Sequence, residues 1–248
     1  ASVPGRPPVM CPGCPHRGVF YTLKSMGLTV TGDIGCYTLG AAAPLAAIDA
    51  CLCMGASIGM AQGMELARGR DQARRTVAVI GDSTFIHSGM TGLAEMSYNG
   101  GHGTVLILDN STTGMTGHQN NPTNGKNIHG DPAPKIDLDT LCRALGVPDV
   151  ATVDPFDLKG LKAAIQHALD FDGVSVIIAR RPCALLSKAP VKPIRLDAEK
   201  CRKCRACMRI GCPALVDKGD HIAVDTTLCT GCGLCGELCA FGAIEKGE

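Results

Sequence analysis

Two cysteine runs near the C-terminus constrain the fold of this chain more than any other feature. The first reads Cys201-x2-Cys204-x2-Cys207-x4-Cys212-Pro213, and the second reads Cys229-x2-Cys232-x2-Cys235-x3-Cys239. Three thiolates at this spacing converge on one face of a four-iron cluster, and the fourth cysteine of each run binds the cluster of the other run. We therefore expect two [4Fe–4S] clusters, one held by Cys201, Cys204, Cys207 and Cys239, the other by Cys229, Cys232, Cys235 and Cys212.

The two runs form an internal repeat, which predicts a small α+β domain of the two-cluster, ferredoxin-like type over residues 191–248. The first run has four residues before its last cysteine, and Ala240 stands where proline is usual, but neither departure removes a ligand. A pair of zinc knuckles is the alternative, although zinc sites usually pair C-x2-C with a second pair at longer spacing. The proline-containing stretch 189–193 reads as the linker from a body over residues 1–190.

The composition excludes several classes of protein. The chain has 24 Lys and Arg against 23 Asp and Glu, which argues against a nucleic-acid partner or an anionic membrane surface. No apolar stretch approaches the roughly 18 residues of a membrane span, and no secretory signal marks the start. Fifteen cysteines without an export signal indicate metal or redox chemistry in the reducing cytoplasm.

In the body, short apolar runs alternate with helical patterns. Buried strands, each bounded by Gly, Asp or Asn, are predicted at 28–31, 76–80, 104–108 and 174–179. Helical spacing predicts helices at 14–26, 55–67, 84–98, 138–145 and 156–169. Strands that alternate with helices of this length predict an α/β fold, a doubly wound and mostly parallel sheet with helices on both faces.

Polar residues at the ends of two predicted strands indicate a metal site. Gly81-Asp82-Ser83 follows one strand and Asp109-Asn110 follows another. Parallel strands end at a common edge of the sheet, where ligands settle, and magnesium holding a diphosphate prefers hard oxygen ligands. Asp82, Asn110 and the backbone carbonyl of Thr112 can supply these, and the helix after Ser83 can direct N–H groups at a phosphate. An ordinary strand-end turn is the alternative.

The wider sequence context resembles a known family. Gly81-Asp82-Ser83 followed by Asn110 resembles the GDG…N signature of thiamine diphosphate enzymes. The segments Cys11-Pro12-Gly13-Cys14-Pro15-His16, Gly32-Asp33-Ile34-Gly35-Cys36 and Thr113-Gly114-Met115-Thr116-Gly117-His118-Gln119 resemble the thiamine-diphosphate-binding subunit of 2-oxoacid:ferredoxin oxidoreductases. With the cysteine-rich tail attached, the chain is most similar to the alpha subunits of indolepyruvate ferredoxin oxidoreductases. The resemblance covers nearly the whole chain.

This resemblance implies oxidative decarboxylation of a 2-oxoacid, with coenzyme A as cosubstrate and electrons leaving through clusters to ferredoxin. Asp82, Asn110 and Thr112 would hold Mg²⁺ and the diphosphate. The implied lining of the phosphates is Gly81, Ser83, Gly114 and Thr116, with Cys36, Tyr37 and Thr38 beside the thiazolium. His16 and His118 are candidate catalytic residues. The pyrimidine-binding domain of this family is not recognisable here, so we expect its activating glutamate from a missing domain or a partner chain.

Four further cysteines are candidates for a third, proximal cluster. Cys11-x2-Cys14 can hold two corners of a cube, as the same spacing does in the tail. Cys36 and Cys183 both follow predicted strands, which places them at one edge of the sheet near Asp82. Buried structural cysteine is the alternative for all four. Cys142 is a rival fourth ligand, but it lies inside a helical pattern.

Two other functions remain open at this point. An electron-transfer adaptor whose body only docks partners would have no use for Asp82 and Asn110. A non-oxidative thiamine decarboxylase would have no use for the cluster-bearing tail. The substrate is also open, because an aryl pyruvate such as indolepyruvate follows from the resemblance alone. Basic residues suited either to dock an acidic ferredoxin or to form a solvated face surround the first run: Arg202, Lys203, Arg205 and Arg209.

Overall fold

A six-stranded parallel sheet forms the centre of the body. The computed structural model describes residues 5, 7–188 and 191–247. Within them the sheet has the order β2-β1-β3-β4-β6-β5, and each pair of neighbouring strands is parallel. The strands are β1 (Thr29–Gly32), β2 (Ala50–Cys51), β3 (Thr76–Gly81), β4 (Thr104–Asp109), β5 (Asp149–Val153) and β6 (Ser175–Arg180).

Helices cover both faces of this sheet, because the central strands are apolar on both sides. Val77 and Val79 of β3 face one apolar cluster, while Ala78 and Ile80 face the other. The first cluster includes residues of α1 (His16–Met26) and α7 (Leu158–Asp170). The second includes residues of α2 (Ala56–Arg68), α5 (Met90–Tyr98) and α6 (Leu138–Ala144). The predicted doubly wound α/β fold is therefore confirmed.

Most predicted elements of the body lie within two residues of their observed bounds. The predicted helix 84–98 begins earlier, as α4 (Asp82–Thr84), and passes through a π-helical turn at Phe85–Gly89 before α5. A short helix α3 (Arg70–Ala73) and the strands β2 and β5 were not predicted. β5 is an edge strand and is only partly buried, so it lacks the continuous apolar run of the central strands.

The C-terminal segment adds two small antiparallel sheets. β7 (Arg195–Leu196) pairs with β10 (Ile244–Glu245), and β8 (Leu215–Asp217) pairs with β9 (Ile222–Val224). Its apolar cluster includes Ile210, Leu215 and Leu234, and side chains of the body such as Tyr21 and Phe156 pack against it. The tail therefore shares packing with the body. None of the described helices has the length and apolar character of a membrane span.

Candidate cofactor and cluster sites

A cleft with about 600 Å³ of empty space opens at the carboxyl edge of the sheet. Strands β1, β3 and β4 end here, as parallel strands in open sheets do at ligand sites. Ten of the seventeen residues around the cleft were predicted to bind cofactor or substrate: His16, Cys36, Tyr37, Gly81, Asp82, Ser83, Asn110, Thr112, Gly114 and Thr116. The structure thus gathers segments that lie far apart in the sequence.

Asp82 is a buried carboxylate, and its hydrogen-bond donors among the described residues are all neutral. Its Oδ1 accepts from the backbone N–H of Ser83 at 2.8 Å. Its Oδ2 accepts from Thr123 Oγ1 at 3.2 Å and from Asn121 Nδ2 at 3.4 Å. Burial raises the pKa of Asp82 from its ordinary 3.8 to about 6, and the negative charge of Asp109 adds to this effect. A divalent cation in the cleft would supply the missing positive charge.

Asp109, in contrast, already has a cationic partner. It is paired across neighbouring strands with Arg180, whose Nε donates to Asp109 Oδ2 at 2.7 Å. Asp109 also accepts from the backbone N–H of Ser111 at 3.1 Å, which helps to shape the turn after β4. Of the two aspartates at these strand ends, Asp82 is therefore the one suited to a metal ion.

Asn110 and Thr112 lie across the cleft from β3, on the turn after β4. Asn110 Oδ1 accepts from the backbone N–H of Thr112 at 3.2 Å, and Asn110 Nδ2 lies 3.4 Å from His16 Nε2. Burial lowers the pKa of His16 to about 4, so its imidazole is neutral near pH 7. A neutral ring can accept from the Asn110 amide, which orients the amide oxygen towards the Thr112 side of the cleft.

Tyr37 forms part of the cleft floor and explains two glycines. A Cβ at Gly35 would lie 2.4 Å from Tyr37 Cε1, and one at Gly81 would lie 2.5 Å from the same atom. The Tyr37 hydroxyl donates to the Ile34 carbonyl at 2.8 Å. Burial raises the pKa of Tyr37, so the phenol stays protonated. Tyr37 is therefore a fixed wall of the cleft.

Two predicted site residues lie outside the cleft lining. The Thr38 hydroxyl donates to the Asp33 carbonyl at 2.9 Å and accepts from the Gly35 N–H at 3.0 Å, so it closes the turn after β1. His118 is exposed and has a positive φ of 61°. Their roles at the cofactor stay predictions.

Three polar residues that shape the site were not predicted. Asn121 and Thr123 come from the long loop 110–137 between β4 and α6 and reach Asp82, a contact for which the sequence gives no local signal. Asp33 is fully buried and accepts from the backbone N–H groups of Gly55 at 2.8 Å and Ser57 at 3.1 Å. It thereby joins the end of β1 to the start of α2. Its position directly after an apolar run was the available signal.

The four cysteines of the predicted proximal set share one electrostatic neighbourhood beside the cleft. Burial, with smaller contributions from the Cys11 and Cys183 thiols, raises the pKa of Cys14 to about 12. Burial and the same two thiols raise the pKa of Cys36. The backbone N–H of Cys183 donates to the Asn110 carbonyl at 2.9 Å, which ties this cysteine to the turn after β4.

The rival ligand Cys142 lies elsewhere. It is completely buried in the apolar cluster that contains α6, on the sheet face opposite α1. Burial raises its pKa to about 12, and the next contributions come from Asp139 and Asp137. These surroundings are those of a core residue.

The tail cysteines form two interleaved neighbourhoods. Burial raises the pKa of Cys207, and Cys201, Cys204 and Cys239 also contribute. Burial likewise raises the pKa of Cys212, with smaller contributions from Cys232 and Cys229. The last cysteine of each run therefore lies beside the other run.

The donor chemistry of the tail suits iron–sulfur clusters. Backbone N–H groups of Gly231 and Ala243 donate to the sulfurs of Cys229 and Cys239 at 3.4 and 3.3 Å, and such bonds to sulfur tune cluster potentials. In residues 5, 7–188 and 191–247, no three His, Cys, Asp or Glu side chains are grouped as ligands of a single metal ion. The fit to clusters therefore rests on donor type, spacing and the pairing of the runs.

Comparisons with known proteins point to the same cofactor as the residues of the cleft. The sequence profile of the family described as "Thiamine pyrophosphate enzyme, C-terminal TPP binding domain" matches residues 33–179. The indolepyruvate oxidoreductase subunit IorA of Pyrococcus horikoshii is 40% identical over 98% of this chain and 41% of its own length. The subunit of the same name from Archaeoglobus fulgidus is 39% identical over 100% of this chain and 41% of its own length. The chain thus spans about two fifths of these curated relatives.

Solved structures share the fold. A 2-oxoglutarate:ferredoxin oxidoreductase from Magnetococcus marinus superposes with a TM-score of 0.58 at 20% identity, covering 73% of this chain and 66% of that one. A thiamine diphosphate-dependent 4-hydroxybenzoylformate decarboxylase from Rhodococcus jostii gives 0.51 at 18% identity, over 73% of this chain and 35% of that one. On the profile match over residues 33–179, the chain belongs to the family of thiamine pyrophosphate enzymes with the C-terminal TPP-binding domain, and it is similar over nearly its whole length to the two IorA subunits.

Proposed function

We propose that the chain is the thiamine-diphosphate-binding and electron-transferring part of a 2-oxoacid:ferredoxin oxidoreductase. The reaction is oxidative decarboxylation of a 2-oxoacid to an acyl-CoA, with electrons passing through [4Fe–4S] clusters to ferredoxin. An aryl pyruvate such as indolepyruvate is the proposed substrate, on the strength of the relatives' names. The proposed partners are ferredoxin and the subunit or domain that contacts the pyrimidine ring. The proposed compartment is the reducing cytoplasm.

The observation that carries the proposal is the buried, uncompensated carboxylate of Asp82 in the cleft. An ionised carboxylate is expensive to bury unless a charge partner is present. Asp82 lies at a strand end together with Asn110 and Thr112, which offers oxygen ligands of the kind that Mg²⁺ takes in diphosphate sites. Asp109, at the end of the neighbouring strand, differs from Asp82 because Arg180 already balances its charge.

The proposed role of each cleft residue follows from its position. Asp82, Asn110 and the Thr112 carbonyl would hold Mg²⁺, while Gly81, Ser83, Gly114 and Thr116 would line the diphosphate. Bound thiamine diphosphate would supply the electron sink that decarboxylation of a 2-oxoacid needs. Tyr37 supports this site without titrating near pH 7, and neutral His16 orients Asn110.

The neighbouring cysteines fit an electron outlet. Gly114 and Cys36 are neighbours in the cleft lining, since a Cβ at Gly114 would lie 3.4 Å from Cys36 Sγ. A cluster held by Cys11, Cys14, Cys36 and Cys183 would therefore adjoin the cleft. A thiamine decarboxylase without electron transfer has no use for such a set or for eight cysteines in the tail.

The proposal is tested by binding of thiamine diphosphate to anaerobically purified chain, measured by calorimetry with and without Mg²⁺. We expect binding that requires Mg²⁺ and is lost in Asp82→Asn, with iron content unchanged because the sites share no ligand. Asp139→Asn, on the surface of α6 and outside the cleft, is the matched control and should bind normally. Iron-loaded chain without any magnesium-dependent binding would contradict the proposal and favour an electron-transfer adaptor.

A further inference from the structure

Arg17 is a buried cation between the N-terminal cysteine turn and the cysteine-rich tail. Its residue is 2% exposed, although arginine is rarely buried without a partner. The described hydrogen bonds of its guanidinium all go to backbone carbonyls. Nε donates to Cys11 at 3.0 Å and Nη2 to Met10, while Nη1 donates to Gly211 at 2.5 Å and to Ile210 at 3.3 Å.

These carbonyls belong to two cysteine loops separated by almost 200 positions. Met10 and Cys11 begin the Cys11-x2-Cys14 turn of the body. Ile210 and Gly211 directly precede Cys212, the cysteine that lies beside the second run of the tail. Arg17 itself stands at the start of α1, three residues after Cys14, and α1 also packs on the tail helix Ala206–Ile210. One guanidinium therefore fixes the distance between the two loops.

A second contact brings the same loops together. A Cβ at Gly13, between Cys11 and Cys14, would lie 2.3 Å from the hydroxyl oxygen of Thr230, between Cys229 and Cys232. Gly13 also has a φ of 71°, which favours glycine. A small cavity between the loops is lined by Gly13, Arg17, Cys212, Cys232 and Cys235. The cavity is thus lined by three of the four cysteines of the second predicted cluster, Cys212, Cys232 and Cys235.

The positive charge of Arg17 indicates a role beyond holding the two loops together. The thiols of Cys212, Cys14, Cys11 and Cys232 all favour the charged form of Arg17 and oppose the effect of its burial on its pKa. Carbonyl oxygens satisfy the guanidinium donors but carry no net charge, so the positive charge is left for anionic neighbours. A cluster with four thiolate ligands is such a neighbour, and its net charge becomes more negative on reduction.

We propose that Arg17 is a positioning residue that docks the tail on the body and couples electrostatically to both the proximal cluster and the cluster of the second run. This inference rests on the proposed function, since it requires both clusters. A buried positive charge stabilises the reduced, more negative form of a nearby cluster, and so raises its reduction potential. Screening by salt is weak because the cation is buried.

The test is a redox titration of the full chain, followed by electron paramagnetic resonance, with iron counted per chain. Arg17→Met removes the charge and keeps an unbranched side chain. We expect two of the cluster potentials to become more negative, or the cluster of the second run to be lost. The control Arg209→Met removes an exposed arginine of the same tail helix, which lies over Tyr21, and should leave the potentials unchanged.

Arg17→Lys separates charge from hydrogen bonding. An ammonium keeps the charge but cannot match the planar fork that serves both loops. We expect potentials closer to wild type than in Arg17→Met, and faster amide hydrogen exchange over residues 207–215. Wild-type exchange in that segment would overturn the docking role, even if Arg17→Met does not fold. Wild-type potentials in an iron-replete Arg17→Met would overturn the coupling, whereas missing clusters in the wild type would instead contradict the proposed function.

Discussion

Asp82 shows how a binding site costs stability at the scale of one residue. Its pKa in the folded chain is about 6, against an ordinary 3.8. Well below pH 3.8 the carboxyl is protonated in both folded and unfolded chains, and no cost arises. As the pH rises through 3.8 to about 6, the unfolded chain loses this proton first, so folding becomes less favourable. Above that range the cost is constant until a cation binds.

We therefore predict that Asp82→Asn stabilises the cofactor-free chain at pH 7 while abolishing cofactor binding. The amide keeps the shape of the side chain and removes the buried charge. The difference in pKa corresponds to an upper limit of about 3 kcal/mol in the free energy of unfolding. Urea denaturation at pH 7 and pH 4 measures it, and most of the gain should be lost at pH 4. A destabilised Asp82→Asn at pH 7 would show that Asp82 has a structural role instead.

Some residues of the candidate site could be predicted from the sequence, and others could not. The presence of Asp82, Asn110 and Thr112 in the cleft could be predicted, because Asp82 and Asn110 directly follow apolar strands, Thr112 lies two residues further on, and parallel strands end together. Asn121 and Thr123 could not, because their contact with Asp82 depends on the path of a long loop. Arg17 could not either, since its partners at 210 and 211 lie almost 200 positions away. Local sequence predicts what ends a strand and says little of what a distant segment brings to it.

At the scale of elements, the burial of a strand decides whether its sequence reveals it. The central strands β3, β4 and β6 are buried on both faces, so their apolar runs are continuous and visible. The edge strand β5 is only partly buried and was missed. The π-helical turn after Ser83 was missed as well, because helical spacing alone cannot show one extra residue in a turn.

Glycines in two helices predict opposite effects of the same substitution. In α1, a Cβ at Gly18 would lie 2.0 Å from the Pro155 carbonyl oxygen, so Gly18→Ala must push the helix away from the chain before α7. In α2, a Cβ at Gly59 meets nothing within 4 Å. We expect Gly18→Ala to lower the free energy of unfolding by about 1–3 kcal/mol, and Gly59→Ala to raise it by about 0.5–1 kcal/mol. Urea denaturation of both variants, with iron content as the control for the tail, distinguishes them from a uniform glycine effect.

The interleaved tail predicts which cysteine variants act on one cluster. Because Cys239 lies beside Cys207 and Cys212 beside Cys232, Cys239→Ala should damage the cluster of the first run. Adding Cys201→Ala to it should remove no further iron, whereas adding Cys232→Ala should remove about four more. Iron and sulfide per chain measure this. The opposite pattern, with Cys201→Ala additive and Cys232→Ala silent, would show that each run binds its cluster alone.

At the scale of the whole molecule, the tail is continuous with the body. The apolar side chains of the tail, which include Ile210 and Leu234, pack against Tyr21 and Phe156 of the body. Arg17 adds hydrogen bonds between the body and the tail. The small apolar core of the tail supplies only limited stability to a segment of this size. Bound clusters would therefore contribute to folding of the tail as well as to electron transfer, and the body would hold the second run towards the cofactor cleft.

On the proposed function, the cleft would hold the diphosphate side of the cofactor. The chain spans about two fifths of its IorA relatives, and the expected pyrimidine-contacting glutamate is not assigned to any residue here. We therefore predict weak, magnesium-dependent thiamine diphosphate binding and no decarboxylation by the chain alone. Turnover should appear when a pyrimidine-binding domain or partner chain is added, because only then does the aminopyrimidine gain its activating carboxylate.

The measurement is anaerobic release of CO₂ from a 2-oxoacid, with coenzyme A and an artificial electron acceptor, for the chain alone and together with the remaining segment of an IorA relative. Indolepyruvate, pyruvate and a branched-chain oxoacid are compared in parallel, since the substrate follows only from the relatives' names. Asp82→Asn with the added segment is the control and should remain inactive, because the added segment cannot replace the magnesium ligand. Turnover by the isolated chain at the rate of the combined sample would contradict this division of the site between two segments.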